Sequence, residues 1–155
     1  MSAAAFPDLA ELLPHSGPML LLARVVSHAP ERTVCALDPA ASDLFRDAGG
    51  GVPAWVALEW MAQCIAAHGG LVARRDGRAP SPGMLVGAKR VALERARFAA
   101  GEALEVEARF TGSAGALASF ACSLRAGAEI VATGSLSVYV SDALARAPGA
   151  PEAPS

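Results

Sequence analysis

Between Val52 and Val72 the chain carries one formally charged side chain, Glu59, set among Trp, Val, Leu, Met, Ile and Ala. No other segment constrains the fold so tightly. A helix that is apolar on most of its sides must be wrapped by something. The run is long enough to cross a bilayer, but Glu59, Gln63 and His68 fall inside it and are costly in lipid. The strands that follow also need a surface to pack on. The expectation is a buried central helix from about Pro53 to Arg74 and no membrane span. A buried carboxylate without a partner is expensive, so Glu59 must pair, shift its pKa, or serve a site.

The flanking text supplies the wrapping. Phe6 to Leu13 reads as a short helix, with Pro7 and Asp8 suited to its first turn and Pro14 as its stop. Met19 to Ser27 and Arg32 to Leu37 are β-leaning runs joined by a turn. Asp38 to Gly51 has no period and ends in Gly49-Gly50-Gly51, a flexible lead into Pro53 as the first helical residue. Gly69 and Gly70 weaken the last turns of the helix and mark a fraying end.

After a basic loop, Met84–Val91, Leu104–Phe110, Leu117–Leu124 and Ile130–Val140 read as strands; the last three alternate with period two. That pattern predicts an antiparallel meander with one buried face. Residues 142–155, rich in Ala and Pro, read as a disordered tail beyond a single domain, 1–141. The fold class is α+β: one twisted antiparallel sheet around one long helix, the hotdog arrangement.

Composition excludes several classes. A length of 155 residues suits one domain, and a net charge of −2 offers no basic field for nucleic acid. Cys35, Cys64 and Cys122 lie in apolar runs without metal-ligand spacing, so they read as small hydrophobes in a reducing compartment. No metal and no cofactor are expected. The N-terminal stretch lacks the basic region of a signal peptide, so no signal peptide and a cytoplasmic location are expected.

Three stretches carry a resemblance to the FabZ-type 3-hydroxyacyl-ACP dehydratases. LLPHSGPMLLLARV (12–25) resembles their opening motif, VPAWVALEWMAQ (52–63) their central-helix signature, and GEALEVEARF (101–110) the start of a later strand. The combination of LPH, PAW and E-MAQ is most similar to the ApeP-like dehydratase subunits of aryl polyene clusters. The resemblance implies elimination of water from a (3R)-3-hydroxyacyl thioester carried by acyl carrier protein. In that family a loop histidine takes the proton beside the carbonyl, and a helix carboxylate from the other subunit assists departure of the hydroxyl.

Glu59 matches that carboxylate. An apolar setting would keep it protonated, as a general acid requires. The helix N-terminus would offer N–H groups to the thioester oxygen; Pro53 has none, so Ala54 and Trp55 are the candidates. The histidine is missing, because the position fourteen residues before Glu59 is Phe45. Of the three histidines, His15 in the LPH motif either touches the site or serves as a structural hydrogen bonder beside Pro14. His28 reads as a solvated turn residue, and His68 falls on the opposite side of the helix from Glu59, near its end.

Gln63, one turn beyond Glu59, either orients the carboxylate or satisfies a core hydrogen bond. Trp55, one turn before it, either walls an acyl tunnel or packs the core. Lys89, Arg90, Arg95 and Arg97 resemble a carrier-docking surface, or form a plain solvated face. Three functions stay open: half of a heterodimeric dehydratase lending Glu59 to a partner that has the histidine; a self-sufficient dehydratase or thioesterase; and a non-catalytic partner subunit. A hotdog homodimer or heterodimer, paired edge to edge, is expected in each.

Overall fold

The computed structural model describes residues 5–13, 17–41, 43–79 and 83–140. Helices α1 (Leu9–Leu12) and α2 (Ala57–Arg75) accompany eight strands. These are β1 (Arg24–Ala29), β2 (Arg32–Leu37), β3 (Val52–Pro53), β4 (Gly83–Leu93), β5 (Arg97–Phe98), β6 (Leu104–Ala114), β7 (Leu117–Ala126) and β8 (Glu129–Val140). The main sheet has the order β1-β2-β6-β7-β8-β4 and is antiparallel throughout; β3 and β5 form a separate pair. This is the α+β hotdog arrangement.

Period two does the work in β6, β7 and β8. Leu104, Val106 and Ala108 are buried, as are Phe120, Cys122 and Leu124, then Leu136 and Val138, and this inward face meets Trp60, Met61, Cys64 and Ala67 of α2 in one core. The simple meander is corrected in one respect. β4 lies beside β8 at the far edge, not beside β6, so the chain crosses the sheet between Leu93 and Leu104. The three-strand run β6-β7-β8 is a true meander because its turns are tight.

The central helix is also corrected. Val52 and Pro53 are spent on the pairing with Phe98 and Arg97, and a 3₁₀ turn (Ala54–Val56) precedes the α-helix. At the other end, Gly69 and Gly70 do not fray it; the helix continues to Arg75. Gly70 has a packing reason instead. A Cβ there would stand 2.7 Å from the Leu12 carbonyl oxygen, so glycine lets α1 lie directly on α2. The stretch Ala54–Arg75 alone among the described residues is long and apolar enough for a bilayer, and 67% of its most apolar window is buried inside the protein.

The glycine tract before the helix is held rather than loose. Asp47 Oδ1 accepts from the N–H groups of Gly49 (3.0 Å) and Gly51 (3.1 Å) and from Arg97 Nη2 (2.6 Å). Cβ atoms on Gly49 or Gly51 would each stand 2.8 Å from Arg97 Nη2, so the tract packs directly over that guanidinium. The expected tail, 142–155, lies outside the described residues.

Candidate active site

α2 is not wrapped all round. Trp55 and Gly69 are exposed and Leu58, Glu59, Ala62 and Ala66 only half-buried, at spacings of three and four residues. They form one incompletely covered stripe, and Glu59 lies on it. Trp55, at 56% exposure, stands one turn before Glu59 and packs edge-on against Phe45, ring centroids 5.6 Å apart.

Gln63, one turn after Glu59, is fully buried, and its amide is used at both ends. Oε1 accepts from Leu21 N–H (3.0 Å); Nε2 donates to the Met19 carbonyl (2.7 Å) and to Glu59 Oε1 (3.2 Å). The two roles read from the sequence as alternatives are thus filled together. One amide fastens residues 19–21 to α2 and holds the carboxylate beside it. His15 itself lies outside the described residues.

The helix start offers less than expected to a thioester oxygen. Ala54 N–H donates to the Ala96 carbonyl at 2.9 Å, so it is already used where β3 meets β5. Two clefts of about 120 and 540 Å³ lie on the outer face and rim of the sheet, the first lined by Arg32, Glu105, Glu107 and Arg125, the second by Arg24, Asp38 and Gly101. Neither is lined by Glu59, which is approached from the open stripe of α2.

The other two described histidines belong to a different place. His68 follows Glu59 by nine residues, about 13 Å along the axis and half a revolution round it. It does not lie at the helix end as expected, but is buried in the interior of α2. Its Nδ1 stands 2.8 Å from the hydroxyl of buried Thr33, whose Oγ1 is also 2.8 Å from His28 Nδ1. His28, expected to be solvated, is half-buried opposite Thr33 in the β1–β2 pair. The Thr33 hydroxyl has one proton to give, so at least one of the two imidazoles donates its Nδ1–H to it. Burial, then the neighbouring His28 and Arg75, pushes the His68 pKa down to about 4. Burial, then Arg75, also lowers that of His28.

The three cysteines, scattered in sequence, converge between α2 and the sheet. Cys64 Sγ donates toward the Thr33 and Val106 carbonyls (3.4 and 3.5 Å), and the adjacent Cys35 thiol together with burial raises its pKa well above the ordinary range. Burial pushes Cys122 up to about 12. Cys64 and Cys122 are therefore protonated core thiols. Among the described residues no three His, Cys, Asp or Glu side chains are grouped to hold a metal.

The basic cluster divides in two. Arg95 pairs with Glu102 (2.6 Å) and Arg97 with Asp47 (2.6 Å), whereas Lys89 and Arg90 are exposed on β4 with no ion pair among the described residues.

The geometry has known counterparts. The chain is similar to a solved structure of the dehydratase heterocomplex ApeI:P from Xenorhabdus doucetiae, at 26% identity and a TM-score of 0.83, covering 88% of this chain and 92% of that one. More distant are the phenylacetic acid degradation protein PaaI from Thermus thermophilus (18%, TM-score 0.56, 75% and 90% covered) and a hypothetical thioesterase with coenzyme A from Streptococcus pneumoniae (11%, TM-score 0.56, 76% and 84% covered). These two share the fold alone. No curated protein sequence matches the chain. The sequence profile of the ApeP-like family, described as ApeP dehydratase, matches residues 7–148, and the chain belongs to that family.

Proposed function

We propose that this chain is the carboxylate-bearing subunit of a (3R)-3-hydroxyacyl-thioester dehydratase whose active site is shared with a related hotdog chain. The observation that carries the reading is the placement of Glu59, on the open stripe of α2 and held by Gln63, with Phe45 at the position where the family carries its histidine. In the shared site the partner's histidine takes the proton next to the thioester carbonyl. Glu59 gives a proton to the departing 3-hydroxyl, water leaves, and the C2–C3 double bond forms. The Trp55 N–H is the remaining candidate donor to the thioester oxygen, and the Phe45–Trp55 pair flanks the acyl group. Similarity to a dehydratase heterocomplex supports a heterodimer over a chain acting alone.

The acyl group would arrive on an acyl carrier protein, in polyene or fatty acid synthesis in the cytoplasm. Within the basic cluster Lys89, Arg90, Arg95 and Arg97, an acidic carrier would dock on Arg95 and Arg97, which flank the Ala96 carbonyl beside the helix start. Of these, Arg97 is in register with Pro53, two residues before Trp55, and so stands at the Glu59 end.

A second reading has one observation in its favour. Gln63 fastens Met19, only four residues after His15, to the helix that bears Glu59. In that reading His15 is the base and the chain needs no partner. Mass spectrometry of a 3-hydroxyacyl carrier protein incubated with the chain alone, and with its related subunit, tests both. The shared site predicts an enoyl thioester only from the pair. The same product from the chain alone favours His15, free acid indicates a thioesterase, and no product from either indicates a non-catalytic subunit.

A further inference from the structure

β4 is an edge strand of eleven residues whose outer rim pairs with no strand among the described residues. Its sequence, GMLVGAKRVAL, holds no acid and no proline, and Met84 and Val86 are 62% and 51% exposed. A long apolar edge is a template for another strand unless something governs what may join it. Lys89-Arg90 interrupts this one.

The interruption is built into the backbone. The β4–β8 register shifts between Lys89 and Ala92, leaving Arg90 and Val91 opposite Gly134. Val91 stays 39% exposed, but its Cγ2 leans over Gly134, where it and Met61 Sδ both lie within 4 Å of where a Gly134 Cβ would stand. Arg90 takes a φ of 53°, the one left-handed non-glycine residue among those described. Glycine would sit there without strain, so the arginine at this position carries a backbone cost. Arg95 and Arg97 are occupied by carboxylates of their own chain; Lys89 and Arg90 meet none among the described residues.

We propose that Lys89 and Arg90 select the partner at the β4 edge: they oppose pairing with a second copy of this chain and favour a related chain whose facing strand carries carboxylates. Two antiparallel copies of β4 overlapping about Ala88, its midpoint, bring each Lys89-Arg90 within about 10 Å of its counterpart. Four cations then share one seam with no anion in either strand, at a separation close to the screening length of about 10 Å in 0.1 M salt. Asp or Glu on a different strand turns that repulsion into attraction while the apolar rim is covered equally well. The inference rests on the shared-site reading, since it names the second subunit as a related chain. It leaves Arg95 and Arg97 as the surface for the carrier.

The test uses defined probes: the wild-type chain, a neutral-edge Lys89→Ser/Arg90→Gly variant, and a reversed-edge Lys89→Glu/Arg90→Glu variant, compared by sedimentation velocity. In about 0.01 M salt, where screening reaches only beyond about 30 Å, wild type mixed with the reversed-edge chain should associate about tenfold more tightly than either alone. The neutral-edge chain should self-associate about tenfold more tightly than wild type. Both differences should vanish in about 1 M salt, where the screening length is about 3 Å. Arg90→Gly should also raise the urea midpoint, showing that the lost selectivity is not lost folding. Mixed pairs no tighter than the like pairs, or wild type self-associating as tightly as the neutral-edge chain at low salt, overturns the proposal. Glu59 is intact in every species and association is the readout, so failure here leaves the catalytic reading standing, and failure of that reading leaves this result interpretable.

Discussion

Gln63 Nε2 stands 3.2 Å from Glu59 Oε1, and the same side chain ties the Met19 carbonyl and the Leu21 N–H to α2. The carboxylate is therefore positioned by a group whose own geometry is fixed from two further directions. Replacing Gln63 by Leu leaves the Leu21 N–H and the Met19 carbonyl without their partner. The cost should be about 2–4 kcal/mol, read as a lower urea midpoint at unchanged slope. Gln63→Glu keeps an acceptor for Leu21 but sets a second carboxyl beside Glu59, and the pH–rate profile of the assembled enzyme should move while that of a merely structural substitution would not.

Two adjacent glycines should respond in opposite directions. A Cβ at Gly70 meets the Leu12 carbonyl oxygen at 2.7 Å, whereas one at Gly69 meets nothing within 4 Å. Gly70→Ala should destabilise by about 1–3 kcal/mol as α1 is pushed off α2. Gly69→Ala should stabilise by about 0.5–1 kcal/mol through helix propensity. Thermal unfolding of the two variants side by side checks this, and equal shifts would contradict the close packing.

The His28–Thr33–His68 chain makes the fold acid-sensitive. His68 is depressed to about 4 in the folded chain, below the ordinary value of 6.5, so the unfolded state binds the extra proton between those limits. Its contribution is complete above about pH 6.5 and is lost as pH falls toward 4. The loss approaches about 3 kcal/mol at 1.36 kcal/mol per unit. His68→Gln should flatten the fall in urea midpoint between pH 6.5 and 4; a wild-type slope retained in the variant would assign the acid sensitivity elsewhere.

Asp47 fixes the loop that presents Phe45 to Trp55. Asp47→Ala removes an ion pair and two backbone N–H contacts, and should cost about 1–3 kcal/mol. In a Trp60→Phe background the emission of Trp55 should shift to the red as Phe45 withdraws. An unchanged spectrum would mean that the aromatic pair holds without its staple.

Much of this was legible in the sequence, because the signals were local. The alternation in β6 and β7 named the buried face, and that in β8 did so except at Ile130, which is exposed because a register shift turns Val131 inward instead; a lone carboxylate in an apolar helix drew attention to Glu59. Long-range pairing was not legible. Nothing in GMLVGAKRVAL says that β4 pairs with β8 rather than β6, because strand order is set by the crossover and not by period. Pro53 suits a helix start and a strand end equally, and only its pairing with Arg97 decides between them. His28 and His68 lie forty residues apart and read singly as a solvated turn residue and a helix-end residue; Thr33 joins them only once β1 and β2 close over α2. The Asp47–Arg97 pair spans fifty residues and carries no local pattern at all.

The most direct measurement is turnover of a 3-hydroxyacyl carrier protein by this chain assembled with its related hotdog subunit, comparing wild type with Glu59→Gln. Enoyl thioester formation should fall by a factor of about 10²–10⁴, with the complex still forming and the folded spectrum intact. Turnover unchanged by Glu59→Gln in an intact complex would contradict the assignment of the carboxylate and return this chain to a structural role.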